Sequence, residues 1–397
     1  MAGISVQGLY KVFGHRPDRA VKALKNGTSR EELMKQGNTA AVIDASFDIE
    51  PGEIFVVMGL SGCGKSTLIR MVNGLLPATA GSLKIDGTSL TEMSEAELRH
   101  VRRDKISMVF QHFALLPHRT VAENAAYGLE IKGIPRKERA AKAHEALEMV
   151  GLNGWGDYLP GELSGGMQQR VGLARALAAD TEVLLMDEAF SALDPLIRKD
   201  MQDQLMELQT KLNKTILFIT HDLNEAMRIG DRIAMMRDGR IVQIGTAEEI
   251  LQNPANNFVA NFIQDVDRSR VLVASNIAEQ PKETLGTGHG PLAAQKLLRE
   301  TQNPWMVVLD RERHPAGVVW EDDIARAVRE GVENLPIDRS NTMHAVKQET
   351  PIHELFHLAA DTPTPIVVVD NDNRFCGVIP RVTLLAAAAT DSKEVNA

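Results

Sequence analysis

The segment GLSGCGKST, from Gly59 to Thr67, combines glycines, hydroxyl residues and a single lysine. Its spacing matches a phosphate-binding loop, in which glycines let successive backbone N–H groups converge on phosphate oxygens. Lys65 would reach the terminal phosphates of a nucleoside triphosphate, and Ser66 would ligate magnesium. The predicted nucleotide contacts in this loop are Gly59, Ser61, Gly62, Cys63, Gly64, Lys65, Ser66 and Thr67.

Two carboxylates, Asp187 and Glu188, follow directly on the apolar run Val183 to Met186. A run of this kind predicts a buried parallel strand, and α/β sheets bind their ligands at the carboxyl ends of such strands. We expect Asp187 to hold magnesium, and Glu188 to orient and polarise an attacking water as a general base. A surface Asp-Glu pair is the alternative, but two charges directly after an apolar strand need a partner such as a metal.

His221 ends a further apolar run, ILFIT, and is predicted to face the same phosphates. A neutral imidazole there could donate its N–H to the terminal phosphate. Because a histidine at a strand end is more often structural, this residue alone carries little weight. With Lys65 and Glu188 it completes the predicted catalytic set.

The elements that must position these side chains are readable from the same segments. EIFVVMG, before the loop, has the continuous apolar character of a strand buried on both faces. STLIRMVNGLL, after it, has apolar residues at helical spacing. Strand, glycine-rich loop and helix in this order predict an α/β nucleotide-binding fold with a parallel sheet.

Composition limits the alternatives. The chain has 397 residues, 44% of them hydrophobic, which predicts two or three domains. A formal charge of −9 and an aromatic content of 4% disfavour a general nucleic-acid binder. No signal peptide is evident and no apolar run reaches the roughly 18 residues of a spanning helix. We therefore expect a cytoplasmic protein, attached to a membrane only through partners.

The two cysteines, Cys63 and Cys376, lie far apart and form no metal-type cluster. We expect free thiols in a reducing compartment. Cys63 lies in the phosphate-binding loop, where backbone N–H groups and Lys65 favour negative charge. We therefore expect its thiolate to be favoured, thiol reagents to inhibit, and MgATP to protect.

The segment LSGGMQQR closely resembles the signature of ATP-binding cassette (ABC) ATPases, and it precedes the acidic strand by about twenty residues. In that family two cassettes sandwich each ATP between the phosphate-binding loop of one and the signature of the other. The resemblance implies a dimer of two copies of the cassette. It also assigns Ser164, Gly165 and Gly166 to nucleotide binding in the second copy.

The other motifs of the family follow in order. Gln111 matches the glutamine loop, which senses the terminal phosphate and contacts the membrane partner, and it is also an expected magnesium ligand. Asp194, in SALD, matches the loop that crosses the dimer interface, and His221 matches the switch histidine. The aromatic residue that stacks on adenine is Phe13 by position, with Tyr10 as the alternative.

An insertion after Gly14, HRPDRAVKALKNGTSREELMKQGN, contains a capping box at Ser29 and Glu32. With LLMDEAFSALDPLIRKDMQ and THDLNEAMRIGDRIA, it resembles the ATPase subunits of glycine betaine/proline uptake transporters. The resemblance implies an ATP- and Mg²⁺-dependent importer subunit on the cytoplasmic face of the inner membrane. Its partners would be a transmembrane permease and, indirectly, an extracytoplasmic substrate-binding protein. Glycine betaine, proline, choline and carnitine stay open as the solute.

Two alternative functions share some of these features. A soluble ABC-type ATPase of DNA repair or chromosome maintenance would need long coiled coils or zinc-spaced cysteines between its motifs, and this sequence has neither. A regulatory sensor with ATP as a bound effector is disfavoured by the intact Glu188 and His221.

The end of the chain contains a repeat. Trp305 to Ile324 and Pro365 to Leu384 align at an offset of 60, and each predicts strand, polar turn, strand and helix. The tandem resembles paired cystathionine-β-synthase (CBS) modules, which implies an α+β regulatory domain that binds a nucleotide or responds to ionic strength. The first copy lacks a clear introductory strand. The expected domains are a cassette over 1–265, with a helical subdomain at about 105–178, and modules over 266–330 and 331–397.

Overall fold

The computed structural model describes residues 3–264, 272–338, 343–362 and 364–388. Two compact units are present, Met1–Ile263 and Gln264–Ala397. The expected boundary near residue 265 adjoins residues 265–271, which lie outside the described part of the chain. Among described residues, no helix is both long enough and apolar enough to cross a membrane.

The first unit contains two sheets. Its strands are β1 (Ile4–Phe13), β2 (Thr39–Ile49), β3 (Ile54–Met58), β4 (Ala80–Ile85), β5 (Thr88–Ser89), β6 (Ile106–Phe110), β7 (Val183–Asp187), β8 (Thr215–Thr220), β9 (Arg232–Arg237) and β10 (Arg240–Gly245). The larger sheet has the order β10-β9-β3-β8-β7-β6, with β9, β3, β8, β7 and β6 parallel and β10 antiparallel at the edge. The smaller, antiparallel sheet has the order β2-β1-β4-β5.

Helices of the first unit flank these sheets. They are α1 (Pro17–Lys25), α2 (Arg30–Lys35), α3 (Lys65–Val72), α4 (Glu95–Asp104), α5 (Val121–Ala125), α6 (Tyr127–Ile131), α7 (Arg136–Met149), α8 (Gly165–Ala178), α9 (Pro195–Leu212), α10 (Leu223–Ile229), α11 (Ala247–Gln252) and α12 (Asn257–Ile263). Helices α5 to α8 contact one another and form the helical part of the unit. This part begins later than the expected residue 105, because β6 belongs to the larger sheet.

Burial explains why the apolar runs form the centre of the larger sheet. All five residues of β3 are buried, as are the first four of β7 and all six of β8. Helix α3 packs Leu68, Ile69, Met71 and Val72 into the same core, which confirms the predicted strand, loop and helix. A parallel strand covered on both faces has no polar face, which is why its sequence does not alternate.

The insertion between β1 and β2 folds into α1 and α2. Ser29 and Glu32 form the predicted capping box, with each side chain accepting from the other residue's backbone N–H. The apolar sides of both helices pack on a satellite core that includes Tyr10 and Ile43. Phe13 pairs with Thr39, so the insertion leaves and re-enters the smaller sheet at one point.

The second unit repeats one motif. Its elements are α13 (Ala274–Ile277), β11 (Leu285–Gly286), α14 (Pro291–Thr301), β12 (Trp305–Leu309), β13 (Pro315–Trp320), α15 (Glu321–Glu330), β14 (Ala345–Lys347), α16 (Ile352–Asp361), β15 (Ile366–Val369), β16 (Phe375–Ile379) and α17 (Arg381–Ala388). The sheets β11-β12-β13 and β14-β15-β16 share one topology, a short parallel strand followed by an antiparallel pair.

This symmetry confirms the predicted repeat and corrects one detail. The first copy does have an introductory strand, β11, although it is only two residues long. Its glycine-rich sequence hid it, since glycine weakens the strand pattern. In the second copy, the apolar face of α16 is buried through Ile352, Leu355 and Ala359.

Candidate active site

The phosphate-binding loop connects β3 to α3 and is fitted closely onto neighbouring backbone. Gly59 has φ 154° and Gly64 has φ 111°. A Cβ at Gly59 would lie 2.1 Å from the carbonyl oxygen of Met236, and one at Gly64 would lie 2.1 Å from that of Ala41. Only glycine fits at these two positions. The loop is thereby held by β9 and β2, two strands far from it in sequence.

The side chain of Lys65 is buried against the backbone of this loop. The residue is only 4% exposed, and its Nζ donates to the carbonyl oxygens of Gly59 at 2.8 Å and Leu60 at 3.2 Å. Its Nζ also lies 3.9 Å from Glu188 Oε1. The ammonium therefore lies beside the Glu188 carboxylate, held mainly by carbonyls.

A hydroxyl and a carboxylate meet next to Lys65. Ser66 Oγ donates to Asp187 Oδ1 at 3.2 Å, joining the start of α3 to the end of β7. Burial raises the pKa of Asp187, against the opposing effects of the Ser66 hydrogen bond and nearby cations. A partly buried carboxylate beside a second oxygen donor fits a hard divalent cation, which would offset its lost hydration.

Gln111 lies at the neighbouring strand end, because Phe110 of β6 pairs with Asp187 of β7. None of the hydrogen bonds among described residues joins Gln111 to Ser66 or Asp187. As the predicted third oxygen ligand, it shares the sheet edge with the other two without contacting them through a hydrogen bond.

Glu188 lies between a cation and an imidazole. Its Oε2 is 3.1 Å from His221 Nδ1, and its other oxygen faces Lys65. The backbone is left-handed at Glu188, with φ 47°, and its N–H donates to the carbonyl of Ile219 at 2.9 Å. Such strain persists where the surrounding structure holds the residue, and it is concentrated at functional sites. The three predicted catalytic residues thus meet at the carboxyl ends of β7 and β8.

The signature residues lie elsewhere on the unit. Ser164 caps α8 by accepting from the Met167 N–H at 3.4 Å, and both Ser164 and Gly165 are exposed. Gly166 packs closely on the start of α9, where its added Cβ would lie 2.6 Å from Ile197 Cγ2. Asp194 caps α9 by accepting from the Ile197 N–H at 3.1 Å. Within the described chain these residues form no hydrogen bond with Lys65, Ser66 or Glu188. Their exposed surface is open to a second molecule.

The two candidate adenine-stacking residues differ in exposure. Tyr10 is 5% exposed and belongs to the satellite core, whereas Phe13 is 42% exposed. The Lys11 ammonium lies 5.1 Å from the centre of the Phe13 ring. Phe13 is therefore the more accessible of the two rings.

The expectation for Cys63 needs correction. Both cysteines are free, but Cys63 is only 5% exposed, and burial raises the pKa of its thiol more than Lys65 and the backbone lower it. The sequence placed Cys63 in an electropositive loop but did not reveal that its side chain points into the core. The thiol, not the thiolate, is therefore the favoured form at neutral pH.

Sequence reasoning also missed Arg198 and Asp222. Arg198 Nη1 donates to Asp222 Oδ2 at 3.2 Å, next to His221 in the sequence. Asp222 adjoins His221, and that adjacency was the only signal in the sequence. Arg198 lies in a helical segment with no local pattern that predicts its partner.

Comparison with known proteins agrees with this geometry. A family model described as ABC transporter matches residues 42–191. A dimeric structure of a bacterial ABC transporter cassette is 32% identical, covering 62% of this chain and 98% of its own, with a TM-score of 0.52. A dimeric post-hydrolysis cassette bound to ADP and Pi is 31% identical, with the same coverage and a TM-score of 0.53.

Curated relatives match the whole chain. The glycine betaine transport ATP-binding protein OpuAA of Bacillus subtilis is 49% identical over 99% of this chain and 94% of its own length. The glycine betaine/carnitine transport ATP-binding protein GbuA of Listeria monocytogenes is 48% identical over the full length of both. The glycine betaine/proline betaine protein ProV of Escherichia coli is 48% identical over 99% of this chain and 98% of its own. The chain belongs to the ABC transporter family, among the ATP-binding subunits of glycine betaine transport systems.

Proposed function

We propose that this chain hydrolyses MgATP to drive uptake of a quaternary-ammonium compatible solute of the glycine betaine class, in osmoprotection. One observation carries the hydrolytic part: Glu188 lies against both Lys65 and His221, beside the Ser66–Asp187 pair. That arrangement provides a phosphate-binding cation, two oxygen ligands and a base within one sheet edge. The solute class is supported by the names of the relatives, since no residue of this chain would touch the solute.

Each residue then has a task. Lys65 exchanges the carbonyls of Gly59 and Leu60 for the terminal phosphates of ATP. Ser66 and Asp187, with Gln111, would hold Mg²⁺, which would neutralise charge on the phosphates. Glu188 orients the attacking water and accepts its proton.

His221 and the adenine end complete the chain's own contribution. The His221 N–H donates to the terminal phosphate and helps to fix the position of Glu188. Phe13 stacks on adenine with its exposed ring face.

The exposed signature explains why one copy is not enough. Ser164, Gly165 and Gly166 begin a long helix whose N-terminal dipole favours an anion. Among the described residues they form no hydrogen bond with Lys65, Ser66 or Glu188 of their own chain, so we assign them to the ATP of a second copy. Asp194 would lie at the interface of that dimer. Closure and reopening of the dimer would move a transmembrane permease at the cytoplasmic face of the inner membrane.

The second unit is proposed to regulate the first. Its two copies of one strand-and-helix motif, each with its own buried core, support a tandem of CBS-type modules. A nucleotide or ionic-strength effector would act there. An extracytoplasmic substrate-binding protein would deliver the solute to the permease.

An uptake assay tests the proposal. The chain is co-purified with its permease and substrate-binding protein, reconstituted into vesicles, and supplied with ATP and a panel of labelled glycine betaine, proline betaine, proline, choline and carnitine. We expect uptake of at least one quaternary amine to depend on ATP and to disappear with the Glu188→Gln chain. ATP hydrolysis without uptake of any quaternary amine would contradict the solute assignment and leave the ATPase assignment standing.

A further inference from the structure

Arg198 connects the two loops that carry the predicted base and the switch histidine. It lies in the first turn of α9, which begins directly after Asp194. One guanidinium nitrogen, Nη1, donates to Asp222 Oδ2 at 3.2 Å. The other, Nη2, donates to the carbonyl oxygens of Leu193 at 3.1 Å and Ser191 at 3.5 Å. The side chain is 28% exposed, so these contacts are partly shielded from water.

Asp222 fixes the residue that precedes it. Its Oδ1 accepts from the N–H groups of Asn224 at 2.9 Å and Glu225 at 3.2 Å, which caps α10. Its own N–H donates to Thr220 Oγ1 at 3.0 Å. His221 lies between the two residues of that last hydrogen bond, so the position of Asp222 sets the position of the imidazole.

The other end of the Arg198 link reaches Glu188. The Ser191 N–H and Oγ donate to the Glu188 carbonyl at 3.1 Å and 2.9 Å. These two hydrogen bonds tie the turn from Glu188 to Asp194 back to the backbone of Glu188. The Ser191 and Leu193 carbonyls of the same turn accept from Arg198. One side chain thus touches both the Glu188–Asp194 turn and the cap beside His221.

We propose that Arg198 is a positioning residue that transmits movement of Asp194 at the dimer interface to His221. The inference rests on the proposed function, in which ATP is hydrolysed between two copies. Arg198 contacts no reacting atom. It makes the positions of Glu188 and His221 depend on each other, so that both reach the terminal phosphate only when the second copy displaces the turn.

The chemistry of the link requires arginine. A guanidinium presents several donors in a fixed plane and can serve a carboxylate on one side and two carbonyls on the other. A lysine ammonium on a flexible stem cannot hold that geometry. Arg198 Nε is buried without a hydrogen-bond partner, so the guanidinium keeps a spare donor for a shifted turn.

The same two helices supply a matched control. Arg228 of α10 forms an ion pair with Asp203 of α9. Like the Arg198–Asp222 pair, it joins α9 to α10, but it includes no residue of the Glu188–Asp194 turn or of the cap beside His221. Gln202 Nε2 also donates to the buried Glu225 at 3.0 Å between them. Removing Arg228 loosens the contact between α9 and α10 without touching the turn or the cap. A purely structural role for Arg198 would be shared by Arg228.

The experiment measures steady-state ATP hydrolysis of the full chain in its transporter, as a function of ATP concentration and pH. The variants are Arg198→Met, Arg198→Lys, Asp222→Asn, the Arg198→Met/Asp222→Asn double and Arg228→Met. Asp222→Asn keeps a good helix cap while removing the charge. Methionine keeps the apolar stem of arginine.

We expect Arg198→Met and Asp222→Asn each to lower kcat by about tenfold, a size typical of coupled contact residues. The KM for ATP should stay within about threefold, because the phosphate-binding loop is untouched. The Hill coefficient should fall from near two towards one. The double variant should lose little more than either single one, Arg198→Lys should not restore the wild-type rate, and Arg228→Met should match wild type.

Two results would overturn the proposal: equal losses in Arg198→Met and Arg228→Met, or additive losses in the double variant. A second readout does not depend on turnover. Asp194→Ala should speed hydrogen exchange at residues 220–225 in the wild-type background and add nothing further in Arg198→Met. If the wild-type chain fails to hydrolyse ATP, the proposed function fails, but the exchange experiment still tests the Arg198 link. An effect of Asp194→Ala on exchange in the wild-type background but not in Arg198→Met supports the link. An equal effect in both backgrounds refutes it.

Discussion

Glu188 shares its carboxylate between Lys65 and His221, so its charge and its shape can be tested separately. Glu188→Gln keeps the size of the side chain but removes the negative charge that activates water. We expect ATP binding to persist and hydrolysis to fall by about 10²- to 10⁴-fold, the usual contribution of a general base. Nucleotide binding and phosphate release, measured on the same preparation, check this.

Glu207→Gln is the control, because Glu207 is exposed on α9 and pairs only with Lys211 in the described structure. It should hydrolyse ATP at the normal rate. Near-normal turnover in Glu188→Gln would remove Glu188 as the base and shift the role to His221, its partner at 3.1 Å.

Burial decides the chemistry of the two thiols. Burial raises the pKa of both Cys63 and Cys376, but Cys376 is half-buried whereas Cys63 is almost wholly enclosed. We expect iodoacetamide at pH 7 to label Cys376 before Cys63. Because each thiol has a pKa above its ordinary value, the thiolate fraction and the labelling rate should keep rising as the pH passes 9.

Mass spectrometry of the labelled peptides measures both rates. Labelling of Cys63 first, or a rate that levels off near neutral pH, would mean that Lys65 and the loop N–H groups outweigh burial. Cys376→Ser isolates the slower site.

At the scale of elements, the segments with an uninterrupted apolar pattern were predicted correctly. β3, β7 and α3 form where their runs predict them, because a core strand or helix is specified mainly by its own burial pattern. The two-residue β11 was missed, as was the burial of Cys63. Both depend on partners distant in sequence, which no local pattern encodes.

The phosphate-binding loop gives a prediction at this scale. Gly64→Ala should abolish nucleotide binding, since its Cβ would lie 2.1 Å from the Ala41 carbonyl, in rigid backbone. Gly133→Ala is the matched control: Gly133 lies outside the loop and also has positive φ, 76°, but its Cβ would meet nothing within 4 Å. We expect Gly133→Ala to cost only the left-handed strain of about 1–2 kcal/mol.

Fluorescent-nucleotide titration and thermal unfolding of both variants separate loss of the loop from loss of the fold. Equal nucleotide affinity in Gly64→Ala and Gly133→Ala would contradict the close fit of the loop onto β2.

At the scale of the whole molecule, the second unit carries more acidic than basic residues, which makes a simple polybasic membrane anchor a poor explanation. Electrostatic attachment would have to be local. Arg311 and Arg313 are exposed on the turn between β12 and β13. The neighbouring His314 Nδ1 lies 3.1 Å from Asp310 Oδ2. Among the described residues neither arginine forms an ion pair, so both charges are available to an anionic surface.

Osmotic upshift raises internal salt, and salt weakens such a contact. The screening length falls from about 10 Å at 0.1 M to about 3 Å at 1 M. If Arg311 and Arg313 hold the second unit against an anionic surface, release at high salt would activate transport. A chain ended after Gln264 should then keep its ATP hydrolysis but lose most of its response to salt in the reconstituted transporter.

A double substitution makes the same test without removing the unit. Arg311→Gln with Arg313→Asn removes both charges, and asparagine tolerates the left-handed backbone at Arg313, where φ is 70°. Arg326→Gln is the control, since Arg326 lies on α15 of the same unit and pairs with Asp323 at 3.4 Å. We expect the double variant to be active already at low salt and the control to follow wild type. Full salt dependence in both the shortened chain and the double variant would place the sensor in the cassette or the permease, and would leave the paired modules a structural or dimerising role.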